Sequence, residues 1–414
     1  MNGQSSSCQS CGSLESERVL DLGYQPLCNE FWPADEPARP QTFYPLCLWQ
    51  CLQCSLVQLD HVIPTAEAFG EQYTYLTGSS RSLIDYYAKL ASTLVKQFDL
   101  KPGDAVVEIG SNDGTFLKAF QEFGISVLGV EGASAAVAVA GENGVATIGE
   151  FFGSGMASQI QDRLPTGSKI RLILGMNVLA HTDNINEFLA EVVTLMDEDT
   201  IFISQSHWLI ELIRKFEFDT IYHEHLRYYT LGSLNGLFQR HGLNIFDAEA
   251  IDFYGGSILA HASINPDKAS QQSPSMVSIL EQETSVDVNQ SLKDMKSKII
   301  ANKSLLLNML VDLHASGKRV IGIGAPMKAS TFLNFYGITD DLIEYLAEVN
   351  ELKVGTVVPG VRIPVLHEEI LFREPPDYAM LLSWNMAGFI IPKYREMGYQ
   401  GKFILPVPEL EIVE

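Results

Sequence analysis

The sequence predicts an α/β protein in which a small cysteine-bearing N-terminal domain precedes two Rossmann-like units. Three observations predict it. All six cysteines fall between Cys8 and Cys54 of a 414-residue chain. Two stretches, Ala105–Phe123 and Arg319–Thr331, pass from a short apolar strand through a glycine turn into a helix. Each is followed by a second apolar strand, Ser126–Val130 and Ile343–Asn350. Strands alternating with helices in this way make parallel sheets.

Length and composition bound the function. A chain of 414 residues divides into two or three domains. The net charge of −23 excludes nucleic acid as the main partner, since phosphate backbones need a cationic surface. An anionic small molecule then needs a local basic pocket. Met1–Ser7 lacks the cationic start and apolar core of a signal peptide, and no apolar run approaches the ~20 residues of a membrane helix. No membrane contact and a cytoplasmic location are expected.

Cys8-Gln-Ser-Cys11 and Cys51-Leu-Gln-Cys54 are two C-x-x-C knuckles about 40 residues apart. Four thiolates suit tetrahedral zinc and leave no open position for chemistry, so the site is expected to be structural. Cys28 and Cys47 read as small buried residues. This domain is placed at 1–70.

The second domain is placed at 71–272. Glu71-Gln-Tyr-Thr-Tyr75 precedes a Gly-Ser-Ser turn, where tyrosines suit either a polar pocket or packing. An amphipathic helix follows from Leu83 to Phe98. Strand Ala105–Gly110 enters the turn Ser111-Asn112-Asp113-Gly114, and Glu131 ends the next strand 21 positions after Gly110. Rossmann-like domains place an acidic residue there for ribose hydroxyls. The turn lacks G-x-G-x-x-G, which fits S-adenosylmethionine (SAM), a cofactor with no phosphate, better than a dinucleotide. The domain therefore reads as a class I SAM methyltransferase. Asn177 and His181 follow the strand beginning at Arg171, beyond whose carboxyl end the ligand is expected.

The densest chemistry lies in Phe218-Asp-Thr-Ile-Tyr222-His223-Glu224-His225. An enzyme uses such groups to take a proton from carbon and hold the resulting charge. The helical zinc-protease spacing is absent, because Arg227 stands four positions after His223. Helix Leu231–Gly242, the turn Phe253-Tyr-Gly-Gly-Ser257, a linker at Pro266–Ser275 and a long amphipathic segment Met276–Ser316 complete the middle of the chain.

The third domain is placed at 273–414. Gly324-Ala-Pro-Met-Lys328, with Ser330 and Thr331, offers glycine, lysine and hydroxyls at a helix start, a pattern suited to phosphate. His367-Glu-Glu reads as a helix start.

In order and motif the chain resembles the C-methyltransferases of nucleotide-activated 4-keto-deoxysugars. The resemblance spans essentially the whole chain and is carried by F-D-T-I-Y-H-E-H at Phe218–His225, V-E-I-G-S-N-D-G at Val107–Gly114, Gly255–Ser257, Gly324–Lys328 and Gly401–Pro408. It implies SAM-dependent methylation of a ring carbon beside the ketone of a dTDP-linked 4-keto-6-deoxysugar, at carbon 3, in deoxysugar biosynthesis. His225 would remove the proton and Glu224 would support it, while Tyr222, His181 and Tyr75 donate to the enolate oxygen. Gly110, Asn112, Asp113, Gly114, Glu131 and Asn177 would hold SAM, with Phe151 or Phe152 beside adenine. Lys328, Arg81 and Arg362 would face the diphosphate. Zinc would sit on Cys8, Cys11, Cys51 and Cys54, and the packed domains are compatible with a monomer.

The chain departs from the family pattern in places. Ile258 and Leu259 follow the Gly-Gly-Ser where an apolar residue and arginine are expected. Gln205-Ser-His207-Trp208 replaces a Glu-x-Pro-Tyr-like segment, and Glu348 stands for an aspartate. These leave the sugar and nucleotide open. The competing readings are an N- or O-methyltransferase and a non-catalytic zinc-dependent binding protein.

Overall fold

The computed structural model describes residues 7–37, 39–64, 75–269 and 272–414. The expected domain boundary at 70/71 and the segment Glu71–Thr74 lie outside the described residues, as do Met1–Ser6.

The N-terminal unit contains β1 (Ser16–Gln25), β2 (Trp32–Pro33), β3 (Tyr44–Cys51) and β4 (Val57–Leu59). The first, third and fourth pair antiparallel. Leu20, Leu46, Leu48, Val57 and Leu59 point into a core shared with the C-terminal domain. The Sγ atoms of Cys8, Cys11, Cys51 and Cys54 lie within 4.8 Å of one another, with Cys8–Cys54 at 3.5 Å and Cys11–Cys51 at 3.6 Å. Tetrahedral zinc with bonds of about 2.3 Å needs sulfur–sulfur edges of about 3.8 Å, so the four thiols fit the ion. Cys28 and Cys47 are buried and stand apart from the cluster.

The middle domain is a seven-stranded sheet. Its strands are β5 (Asp104–Ile109), β6 (Ser126–Val130), β7 (Thr147–Ile148), β8 (Lys169–Met176) and β9 (Ile201–His207), then β11 (Asn244–Ile251) and β12 (Ser257–Ser263). The order β11-β12-β9-β8-β5-β6-β7 is parallel from β9 to β7 and antiparallel at the β11–β12 edge. β5 lies between β6 and β8, so the chain reverses its winding there and opens a crevice at the strands' carboxyl ends. The short strand β10 (Arg227–Tyr228) joins another sheet. It pairs with β4, setting Arg227 opposite Gln58 and Tyr228 opposite Val57. The catalytic candidate stretch is thereby stitched to the zinc unit.

The C-terminal domain contributes β13 (Val320–Ile323), β14 (Leu346–Glu348), β15 (Thr356–Val357), β16 (Val365–His367), β17 (Tyr378–Leu381), β18 (Lys402–Leu405) and β19 (Glu411–Val413). Its main sheet runs β16-β14-β13-β17-β18-β19, parallel except at β19. β15 pairs instead with β2 of the N-terminal unit. His367 closes a strand, not a helix, because Val365 and Leu366 continue the parallel ladder through Leu346 and Ala347.

The expected amphipathic segment Met276–Ser316 is two helices, Pro274–Thr284 and Val288–Ala315. They divide where Asp287 accepts from Gln290 N and starts the second. Leu292, Met295, Ile299 and Leu306 are buried, and Asn302 donates to Pro406 O at 2.9 Å, tying the helix to the C-terminal domain. Among the described residues no helix is long and apolar enough to cross a membrane.

Because β3 and β4 run between the thiols and β10, metal loss should reach the site. Chelation, or Cys51→Ser, is expected to remove one zinc per chain by elemental analysis and to lower both Tm and kcat/KM. A metal-free protein with unchanged Tm and rate would contradict this coupling.

Candidate active site

A cavity of about 680 Å³ opens at the carboxyl ends of the central strands and extends to the C-terminal domain. Its first side is built by the turn after β5. Gly110 sits at φ 69°, and a Cβ there would approach Val178 to 3.1 Å, so the turn takes glycine. Glu131 follows β6, and its carboxylate accepts from Asn112 N at 2.9 Å and Ala133 N at 2.8 Å. Burial raises its pKa. Asn177 follows β8, and its carboxamide oxygen accepts from Gln205 at 3.3 Å. Phe151 and Phe152 line the same side, the latter edge-on to Phe188 at 5.0 Å.

The second side is the Tyr222–His225 stretch. His225 Nδ1 lies 2.8 Å from Thr220 O. A carbonyl only accepts, so Nδ1 carries the hydrogen and the neutral ring keeps its lone pair on Nε2. Burial, with His181 and His207 as neighbouring charges, holds its pKa well below 6.5. His181 is tied likewise, with Nδ1 at 2.8 Å from Glu224 O, and burial pushes it down to about 4. The two rings lie 5.0 Å apart, and Tyr222 lies 4.2 Å from His225, centroid to centroid. The expected donor role of His181 is therefore corrected. Its Nδ1–H is taken up by Glu224 O, so that atom does not donate to a ligand.

The stretch is held from every direction. Glu224 Oε1 accepts from Cys28 Sγ at 3.3 Å and from Asn29 Nδ2, both of the N-terminal unit. Burial pushes the carboxyl up to about 7, partly offset by Cys28, Lys353 and Asn29. Lys353, from the C-terminal domain, is buried, donates to Ala325 O at 2.8 Å and faces the cavity. Lys328 also lines the cavity, bonded to Asn385 at 3.0 Å, 3.6 Å from Asp219 and stacked over Trp384 at 4.3 Å. Arg227 is a buried cation whose Nη atoms donate to Leu179 O, Thr182 O and Asp183 O at 2.7–3.1 Å, fixing the loop that carries His181.

Gly110, Asn112, Glu131, Asn177, His181, Tyr222, Glu224, His225, Tyr75 and Lys328 thus line one cavity. Other expected residues do not. Asp113 spends its carboxylate on Gly78 N and Thr115, and Gly114 packs on Val145, so both shape the turn from behind. Arg81 points into solvent and pairs with Asp85 at 3.1 Å, and Arg362 stacks on Trp32 at 5.6 Å. Neither arginine lines the cavity. Tyr75 OH meets Tyr254 OH at 2.9 Å. His223 turns away to Pro45 O at 3.1 Å. Lys353 and the Cys28–Asn29 pair escaped sequence reasoning because their contacts lie far along the chain, and His207 and Glu217 because no motif marks them.

Family models match in three consecutive blocks: a zinc binding domain over residues 8–69, a methyltransferase domain over 80–248 and a C-methyltransferase C-terminal domain over 252–408. Over 410 residues the chain is 33% identical to C-methyltransferase NovU of Streptomyces niveus, covering 98% of this chain and 96% of that protein. The chain belongs to the C-methyltransferase family. Solved structures include 1,6-didemethyltoxoflavin-N1-methyltransferase of Burkholderia thailandensis (15% identity, 51% of this chain and 96% of that one, TM-score 0.35). Magnesium protoporphyrin IX methyltransferase of Synechocystis gives 15%, 44%, 78% and 0.32. Neither bears on this enzyme's chemistry. This C-methyltransferase uses SAM and structural zinc. The first side of the cavity fits SAM: it carries the acid Glu131 and no lysine or arginine, which suits a cationic cofactor, and the cavity's lysines lie on the C-terminal domain.

Burial holds His223 down at about 4. The native ring stays neutral while the unfolded one takes a proton near 6.5, so its contribution makes stability fall as pH drops from about 6.5 to 4. Glu224 acts in the opposite sense, its contribution being lost as pH rises from 4.5 through about 7. In denaturant titrations His223→Gln should flatten the acid-side slope by up to about 1.4 kcal/mol per pH unit. An unchanged slope would refute the buried neutral ring.

Proposed function

We propose that this C-methyltransferase alkylates a ring carbon beside the ketone of a nucleotide-linked 4-keto-6-deoxysugar, dTDP-linked and at carbon 3, in deoxysugar biosynthesis. One observation carries the reading. A neutral His225, its tautomer set by Thr220 O, shares a cavity with Glu131 and Asn177 on one side and lysines on the other.

A ring carbon has no lone pair, so its hydrogen must leave as a proton before it can attack. The ketone makes that hydrogen acidic, and His225 Nε2 accepts it. The C–H electron pair becomes the enolate, whose oxygen Tyr222 stabilises with Tyr75 as a further donor. SAM, when bound, would supply a methyl group on positively charged sulfur, with the neutral thioether as its leaving group. Glu224, held by Cys28 and Asn29, supports the imidazolium that forms. Glu131 would take the ribose hydroxyls, and Asn177, Asn112 and Gly110 would hold the cofactor beside the sugar. Lys328 and Lys353 give an acidic chain a local cationic wall for the diphosphate.

His225→Ala should reduce kcat about 10²- to 10⁴-fold on 4-keto-6-deoxy nucleotide sugars while calorimetry finds SAM affinity intact. Normal turnover by that variant would end the assignment. With His225 held well below 6.5, a loss of kcat/KM between pH 7 and 6 belongs to Glu224, and the step should vanish in Glu224→Gln.

A further inference from the structure

His207 ends β9, and Glu217 follows the helix Leu209–Arg214 through Phe216, which stands at φ 61°. Both side chains line the cavity. The Glu217 carboxylate is 1% exposed, yet neither oxygen has a hydrogen-bonding donor. His207 Nε2 lies 3.2 Å from Oε2, close enough for an ion pair but outside hydrogen-bonding geometry. The enclosure is built around this group. Gly255 lies so close that a Cβ there would fall 2.2 Å from Glu217 Oε2, and one on Gly256 would fall 2.7 Å from Glu211 Cβ. Gly255 thus makes room for a carboxylate that its surroundings leave unsatisfied, while Gly256 does the same for Glu211 on the helix before it.

The oxygens of a carboxylate are hydrogen-bond acceptors. Buried with its acceptor sites open, it costs free energy that a ligand's donor recovers. A ketone or phosphate oxygen brings only more lone pairs and is repelled. We propose that Glu217, with His207 beside it, is a specificity-determining subsite that selects sugars bearing a hydrogen-bond donor, a hydroxyl or an ammonium, at a ring position away from the ketone and the diphosphate. This inference rests on the proposed sugar-nucleotide substrate. It gives a use to His207 at the end of β9.

The test compares matched 4-keto nucleotide sugars carrying hydroxyl, amino or hydrogen at the candidate ring position, using the full-length zinc-loaded enzyme. The readout is the ratio of kcat/KM values between donor-bearing and deoxy sugars, for wild type and Glu217→Gln, with SAM binding as the check that the variant is folded. Wild type should favour a donor-bearing sugar about tenfold or more, the scale of a hydrogen bond to a charged group. Glu217→Gln should compress that ratio, most for the ammonium if it is the natural group and equally for both donors if a hydroxyl is. Equal wild-type values across the three sugars, or an uncompressed ratio in the variant, overturn the subsite while methylation itself leaves the proposed function standing. No methylation of any sugar overturns both.

Discussion

The 2.8 Å hydrogen bond from His225 to the Thr220 carbonyl decides which ring nitrogen meets the cavity, and the chemistry depends on it. That bond spans five residues of irregular chain, which has no ladder of its own to keep it in shape. Its geometry is imposed from outside. Thr331 Oγ1 donates to Ile221 O at 3.0 Å, Trp384 Nε1 to Asp219 at 2.7 Å, and Leu226 N to Ala180 O at 2.8 Å. Phe218 is buried against Phe332 and stacks on Tyr336 at 5.8 Å. All but the Ala180 contact come from the C-terminal domain, so the tautomer depends on how that domain packs against the stretch.

This makes sense of a zinc unit without catalytic zinc. Four thiolates occupy every coordination position, so the ion has nothing to offer a substrate. It braces a small antiparallel sheet too short to hold itself, and that sheet carries β4 to β10 and Asn29 to Glu224. β2, paired with β15, closes the same clamp on the C-terminal domain. A dry, rigid site is what proton abstraction from carbon needs, because donors must be in place before charge develops. Burial of His181, His223 and Glu224 records the same dryness in their displaced pKa values.

What could be read in the sequence was what local chemistry dictates. The glycine turns after Ala105–Gly110 and Arg319–Gly324, the acid at the end of β6 and the paired cysteine knuckles each follow from a short-range requirement, and they placed both α/β units and the metal site. The dense polar stretch also stood out, and the family resemblance singled out His225 within it, but local chemistry alone gave no reason to prefer it to His223. Only the fold tells His225, facing the cavity, from His223, turned to Pro45 O. Arg81 and Arg362 looked like phosphate ligands because a cation's sequence does not reveal its direction; one points to solvent and the other stacks on Trp32. Arg227, Cys28 and Lys353 were invisible because their partners lie far along the chain, 195 residues away for Asn29 and Glu224.

Solvent exchange into the sugar tests the central claim most directly. With SAM withheld, enzyme and a 4-keto-6-deoxy nucleotide sugar are incubated in heavy water and the sugar is weighed by mass spectrometry. Removal of a carbon-bound proton by His225 predicts uptake of one deuterium beside the ketone, and no uptake with His225→Ala. A sugar that is methylated when SAM is added but takes up no deuterium without it would contradict an enolate formed by the enzyme's own base.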